Sequence, residues 1–171
     1  ERRAVCGNDI SGNAETRQED PRGADGVPSA GGESVSGLAR HLFIFAHTQY
    51  ILVTNTRSLY SVVMAGRGIT DDDRFLKATL SHMGDVMKHG GYESVFRGII
   101  EPEAGAVSFS KAVDKRVLGS MNDFVHNARY HLSAGDSLVG ASLHMNEMPM
   151  SLIKMDSPWR AFKSMSAERR W

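Results

Sequence analysis

Cysteine is nearly absent from this chain. The one present, Cys6, stands in a polar stretch. A single thiol cannot close an internal disulfide, and no CxxC or mixed Cys/His spacing offers a zinc site. A reducing compartment is the expectation, and with it a cytoplasmic location. Long apolar runs are missing too. The densest, residues 42–46, is broken at His47, Thr48 and Gln49, far short of the ~20 apolar residues that a membrane span needs. No membrane partner is expected. The N-terminus has no apolar h-region, so no export signal is read. The chain opens on Glu1 rather than Met, as a fragment or a processed product would. Net charge is absent as well: 20 basic residues cancel 20 acidic ones. A general nucleic-acid binder needs a basic field that displaces counterions from phosphate. That class is disfavoured, while a local basic patch stays open.

What is present fits one domain with a tail. The chain has 171 residues, of which 41% are apolar, slightly below the usual globular share. Residues 1–37 hold seven glycines and mixed charges, and their apolar residues Val5, Ile10, Val27 and Val35 are isolated. Such a segment cannot bury enough area to offset chain ordering. It is expected to be a disordered tail or a non-native leader, with the folded domain over residues 38–171.

From Arg40 the texture changes. "HLFIFAH", "QYILVTN" and "SLYSVVMAG" are dense in β-branched and aromatic residues, as strands are. Asn55 and Thr56 suit a hairpin turn, because their short polar side chains bond nearby backbone. "ITDDDRFLKATLSHMGDVMKHGG" predicts a helix. Thr70 is its expected N-cap, with Asp73 completing a variant capping box. Asp71, Asp72 and Asp73 favour the positive end of the macrodipole. Leu76, Leu80, Met83 and Met87 form its apolar stripe, and Gly90-Gly91 its left-handed stop.

Further on, "YESVFRGII" reads as a short helix closed by Pro102, and "AVSFSKAV" as a strand. "RVLGSMNDFVHNARYHL" reads as a long helix whose apolar side carries Val117, Leu118, Met121, Val125, Ala128 and Leu132. Another helix follows with Asp136 as cap. "MSLIK" reads as a strand or extended turn. A last helix has Ser157 as N-cap and Pro158 at its first position, with Trp159, Phe162 and Met165 inward. Strands first and helices later give an α+β class: a single domain with a hairpin-based antiparallel sheet packed against several helices. At least half of the nine methionines are expected as core filler.

The candidate chemistry is thin. His82, Asp85 and His89 share a helix face, but the spacing is not His-x3-His and no Glu base lies between. A solvated helix face is the better account, and no metal or cofactor is expected. On the long helix Asn122, His126 and Arg129 share a polar face, with Asp123 alongside. Asp123 is placed to orient His126 or Asn127, as a general base requires. No motif sets a nucleophile, because Ser120 lies one turn away in the same helix rather than on a strained elbow. Gly119 costs about 1 kcal/mol against alanine in a helix, so close approach of another backbone is expected there. Gly66-Arg67-Gly68 lacks a phosphate-loop pattern and reads as a turn. Arg67, Lys115, Arg116, Lys154, Arg160 and Lys163, with Trp159, are the candidate basic and aromatic surface for nucleic acid.

"DKRVLGSMNDF", residues 114–124, resembles the N-R-S-V-L-G-S-M-N-D-F-like signature of a bacterial family catalogued as a domain of unknown function. "YILVTNTRSLYSVVMAG" is similar to that family's central hairpin, and "MNEMPMSLIKMDSPWRAF" to its C-terminal N-x-x-P-M segment and short helix. The resemblance covers residues 42–162. Family members open with a further strand and helix and a W-H-A-N-like segment; "LARH" stands in its place. The resemblance implies no reaction, cofactor or catalytic residue, and marks Arg116, Gly119, Asn122 and Asp123 as signature positions. The expectation is a small intracellular bacterial protein that acts by binding, with Arg116, Asn122 and Asp123 as the binding candidates. A protein partner is expected ahead of nucleic acid. Two alternatives stand beside it: a nucleic-acid-associated protein that uses the basic and aromatic surface, and an enzyme with its site at Asn122, Asp123 and His126.

Overall fold

A computed structural model describes residues 37–104, 108–109 and 114–168. The expected tail, residues 1–37, lies almost wholly outside them, as do most of "AVSFSKAV" and the last three residues.

Three strands lead: β1 (Gly37–Phe45), β2 (Thr48–Asn55) and β3 (Ser61–Ala65). β1 pairs antiparallel with β2, Leu42 opposite Ile51, and β2 with β3, Leu52 opposite Val63. A two-residue turn joins β1 to β2, with Ala46 and His47 both at positive φ, the twist-matched hairpin geometry. The second turn is organised by Asn55. Its Oδ1 accepts from the Arg57 and Ser58 backbone N–H groups and from the Ser58 hydroxyl, which is the local bonding expected of that residue. β4 (Ser108–Phe109) adds to the outer edge of β1 at Gly37 and Leu38, and it runs parallel. The order is β3-β2-β1-β4.

The helices are α1 (Asp72–His89), α2 (Glu93–Val95), α3 (Glu101–Glu103), α4 (Lys115–Ser133), α5 (Leu138–Glu147) and α6 (Pro158–Glu168). They bury both faces of the sheet. On one face Ala39, Phe43, Leu52, Leu59 and Val63 pack against Met121, Phe124, Val125 and Ala128 of α4 and Ala141 and Met145 of α5. On the other, Leu38, Ile51, Val53, Val62 and Met64 meet Phe75, Met83, Val86 and Met87 of α1 and Phe162 of α6. Two covered faces explain why β2 and β3 read as unbroken apolar runs rather than alternating ones. The class is α+β, as expected. Met64, Met83, Met87, Met121, Met145 and Met150 are buried, so most methionines are core.

Several local expectations are corrected. Asp71, not Thr70, caps α1, its carboxylate accepting from the Arg74 N–H at 2.8 Å. A carboxylate one residue closer to the helix reaches the orphan donor directly. The α1 stripe is Phe75, Thr79, Met83, Val86 and Met87, with Leu76 and Leu80 half-buried beside it. Helix α1 ends with Gly91 at φ 80° and a Tyr92 N–H to Met87 carbonyl bond of 2.6 Å, a Schellman closure. Pro102 does not stop the next helix. A π-turn (Phe96–Ile100) precedes it, and the wider turn makes room for a ring that cannot donate.

In α4, Phe124 and Ser120 are buried whereas Leu118 is 41% exposed. Among the described residues nothing lies within 4 Å of a Cβ placed on Gly119, so none of their backbone approaches it closely. Ser137 rather than Asp136 caps α5, its hydroxyl accepting from the Gly140 N–H. "MSLIK" holds a 3-10 turn (Ser151–Ile153) closed by a Met150–Asp156 bridge. At α6, Ser157 accepts from the Arg160 N–H and Pro158 takes the first position. Phe162 is buried there, while Trp159 and Met165 are half-buried.

Candidate functional site

The two edges of the sheet are treated differently. Helix α5 seals the β3 edge with side chains. Ser142 Oγ accepts from the Val63 N–H at 3.0 Å. Asn146 Oδ1 accepts from the Ser61 N–H at 2.8 Å, and its Nδ2 donates to the Ser61 carbonyl at 2.6 Å. Among the described residues no such hydroxyl-and-amide pair caps the β1 edge. Beyond Leu38 no described strand pairs with its outer side.

A groove of about 710 Å³ runs between that edge and α4. Its α4 wall is Asn122, Val125, His126 and Arg129; its sheet wall comes from His41 to Ile44 and from Gln49. Arg129 crosses the groove. Its Nη2 donates to the Ile44 carbonyl at 3.2 Å and its guanidinium lies 5.8 Å from the Phe43 ring centre, while its buried Nε has no partner among the described residues. The Ile44 carbonyl therefore faces outward. By strand alternation the backbone groups of Leu42 and Arg40 face outward with it. The side chains of Leu42 and Ile44 are 58% and 67% exposed, an apolar pair that α1 does not reach.

The structure separates the sequence candidates. Asn122 and His126 line this groove and are exposed. Asp123, also exposed, is not among the lining residues. Among the described residues no side chain orients His126 through a hydrogen bond. Ser120 Oγ donates to the Arg116 carbonyl one turn back, a helix-internal bond that leaves no base beside it. Arg116 is engaged at the helix start. Asp114 caps α4 through the Arg116 N–H at 2.8 Å and holds the guanidinium at 3.0 Å. Those hydrogen bonds keep the Asp114 carboxyl below the usual carboxylate range and the Arg116 guanidinium above its own. Trp159 stacks on Tyr92 and packs beside Phe162, so at least one ring face is taken.

His82, Asp85 and His89 do not converge. His89 Nδ1 donates to the Asp85 carbonyl at 2.8 Å, and the buried Nε2 of His82 has no partner among the described residues. Burial pushes the His82 imidazole below its ordinary value, opposed by the nearby Val63 backbone and by the Asp85 charge. Below about pH 6.5 the unfolded chain binds a proton that the native ring still refuses. The native ring's advantage is thus full above that pH and lost as pH falls through the depressed folded value. The urea midpoint is expected to drop between pH 7.5 and 5.5, and His82→Phe to flatten that limb. An unchanged slope in the variant would remove His82 as the cause.

Sequence reasoning missed a third cluster. His131, Asp136 and His144 bring three ligand atoms within 4.8 Å of one another at the α4–α5 turn. Their spacing, His-x4-Asp-x7-His, crosses a helix end, so no single periodicity reveals it. The Gly135 stop was the available signal, because it folds α5 back along α4. Among the described residues no helix is long and apolar enough to cross a membrane.

Comparison with known proteins adds a family and no activity. No curated protein matches the sequence. Residues 24–161 match the model of a family described as a domain of unknown function, DUF6933. That span takes in the whole sheet, the groove and the start of α6, so the chain belongs to this family.

Proposed function

We propose that the protein is a non-enzymatic binding module that takes up an extended segment of a partner protein along the outer edge of β1. The observation that carries this is the difference between the two sheet edges. One is closed by Asn146 and Ser142; the other offers outward backbone groups at Arg40 and Leu42 beside two exposed apolar side chains. An unpaired edge is a template for another strand. Arg129 already donates to Ile44 as a strand would, and the charge of its guanidinium favours a carboxylate on the incoming segment. The ligand chemistry is therefore an extended peptide with apolar residues at alternate positions and one acidic group. Residues 114–124 are taken as the family signature. Asp114 starts α4, Val117, Met121 and Phe124 anchor it in the core, and Asn122 meets the ligand.

The test is selection of short random peptides on the full-length chain, followed by NMR mapping. Selected peptides are expected to share the alternating acidic pattern and to shift the amides of residues 40–44. The Leu42→Lys/Ile44→Lys double variant should weaken them at least ~10-fold with little change in folding stability, since exposed substitutions rarely matter by more than ~0.5 kcal/mol. Peptides that map elsewhere, or turnover of a substrate abolished by Asn122→Ala in a folded variant, would sink the reading.

A further inference from the structure

The turn between α4 and α5 gathers two imidazoles and a carboxylate. Its geometry follows from the chain. Helix α4 ends at Ser133 with Ala134 as its cap, and Gly135 adopts φ 91°, a left-handed conformation that costs glycine little. The Asp136 N–H then closes on the His131 carbonyl at 3.0 Å. That closure brings the Asp136 carboxylate back to the His131 ring, Oδ2 at 2.7 Å from Nδ1. Helix α5 starts at once under its Ser137 cap and carries His144 to the same place. The His144 Nε2 lies 4.0 Å from the same Asp136 oxygen, and the two imidazole rings stack 4.4 Å apart.

We infer that His131 Nδ1, Asp136 Oδ2 and His144 Nε2 form a site for a divalent first-row transition metal of the zinc, nickel or copper class. Two imidazoles with one carboxylate suit those ions and not magnesium or calcium, which take oxygen ligands. Three protein ligands leave a coordination position for water. The spacing is close to what coordination requires. Ligands at ~2.1 Å from a tetrahedral ion stand about 3.4 Å from each other, and the present 2.7 and 4.0 Å distances fall either side of that value. The inner ligand is held, the His131 side chain being 17% exposed, whereas the His144 side chain is 54% exposed and free to turn.

It has to turn. Parallel stacked rings, 5° apart here, cannot both contain one ion in their planes. Binding therefore unstacks His144, and Asp136 draws back from His131. The His131 Nδ1 lone pair must be free to bind, so its proton is released or carried by Nε2 instead. A plain His–Asp clamp across the helix turn would show none of these changes, which separates the two accounts.

The experiment is calorimetric titration of Zn²⁺ into the full-length, untagged and chelator-treated chain, with Co²⁺ absorption as a second reading. One equivalent is expected to bind with micromolar or tighter affinity, to raise the melting temperature and to give the intense visible bands of tetrahedral Co²⁺. His144→Ala changes an exposed residue, so the variant should fold, and affinity should fall at least ~10-fold. His89→Ala, at an exposed imidazole outside the cluster, should leave the Zn²⁺ affinity unchanged. In NMR the ring protons of His131 and His144 should lose their mutual ring-current shifts. Absence of stoichiometric binding at ~100 µM Zn²⁺, or binding that His144→Ala leaves intact, would overturn the assignment.

Discussion

Replacing Asn146 with leucine is expected to cost about 4 kcal/mol of folding stability, since two buried backbone groups lose their partners at ~1–3 kcal/mol each and a side-chain bond goes with them. Asn146 is 3% exposed. Its Oδ1 serves the Ser61 N–H, while its Nδ2 serves both the Ser61 and Ser142 carbonyls. Leucine has a similar volume, so little of the loss is cavity. It places a methyl where the donor stood, with no water able to replace it. Ser142→Ala is the graded control. It removes one acceptor from the Val63 N–H and should cost about 1–2 kcal/mol by the same reasoning. Urea unfolding with an unchanged m-value reads both. A loss below ~1 kcal/mol for Asn146→Leu would mean that the β3 edge is not sealed by this residue.

That seal was invisible in the sequence. Asn146 and Ser142 sit four residues apart in a run that reads as a plain helix, and their partners lie 85 and 79 residues away. Local pattern gives an amide in a helix no reason to be buried. What could be read was whatever the chain decides locally. The strand runs, the Asn55 turn and the Schellman ends follow from side-chain branching, Asx bonding and glycine's tolerance of positive φ. Cap positions slipped by one residue, from Thr70 to Asp71 and from Asp136 to Ser137, because adjacent residues have equal capping chemistry and only backbone geometry chooses between them.

The candidate site was half legible, for the same reason. A helical wheel puts Asn122, His126 and Arg129 on one face of α4, and all three line the groove. It cannot show that the face looks onto a strand edge, nor that Arg129 reaches the Ile44 carbonyl 85 residues earlier. Asp123, adjacent in sequence to Asn122, is rotated about a quarter turn around the helix, which is enough to take it out of the groove wall. The cation expected on Arg116 is likewise modified by a local event, since its own helix cap, Asp114, binds it.

The same helix supplies the second large effect. Phe124→Ala should destabilise the fold by about 4 kcal/mol, the usual range for emptying a buried aromatic site. Phe124 is 0% exposed among Leu52, Val63, Met121 and Met145. The contrast is Leu118→Ala on the same helix, at 41% exposure. Its cost should stay within ~0.5 kcal/mol, since it leaves no core void. Apolar periodicity alone ranks the two the other way, with Leu118 on the inner stripe. Unfolding midpoints of the pair therefore test where α4 faces, and with it the wall that carries Asn122 and His126. If Leu118→Ala were the more damaging, α4 would be rotated and Asn122 would leave the groove. Phe124→Leu, which keeps an apolar branch in the site, should recover most of the loss if packing rather than aromaticity holds the helix in place.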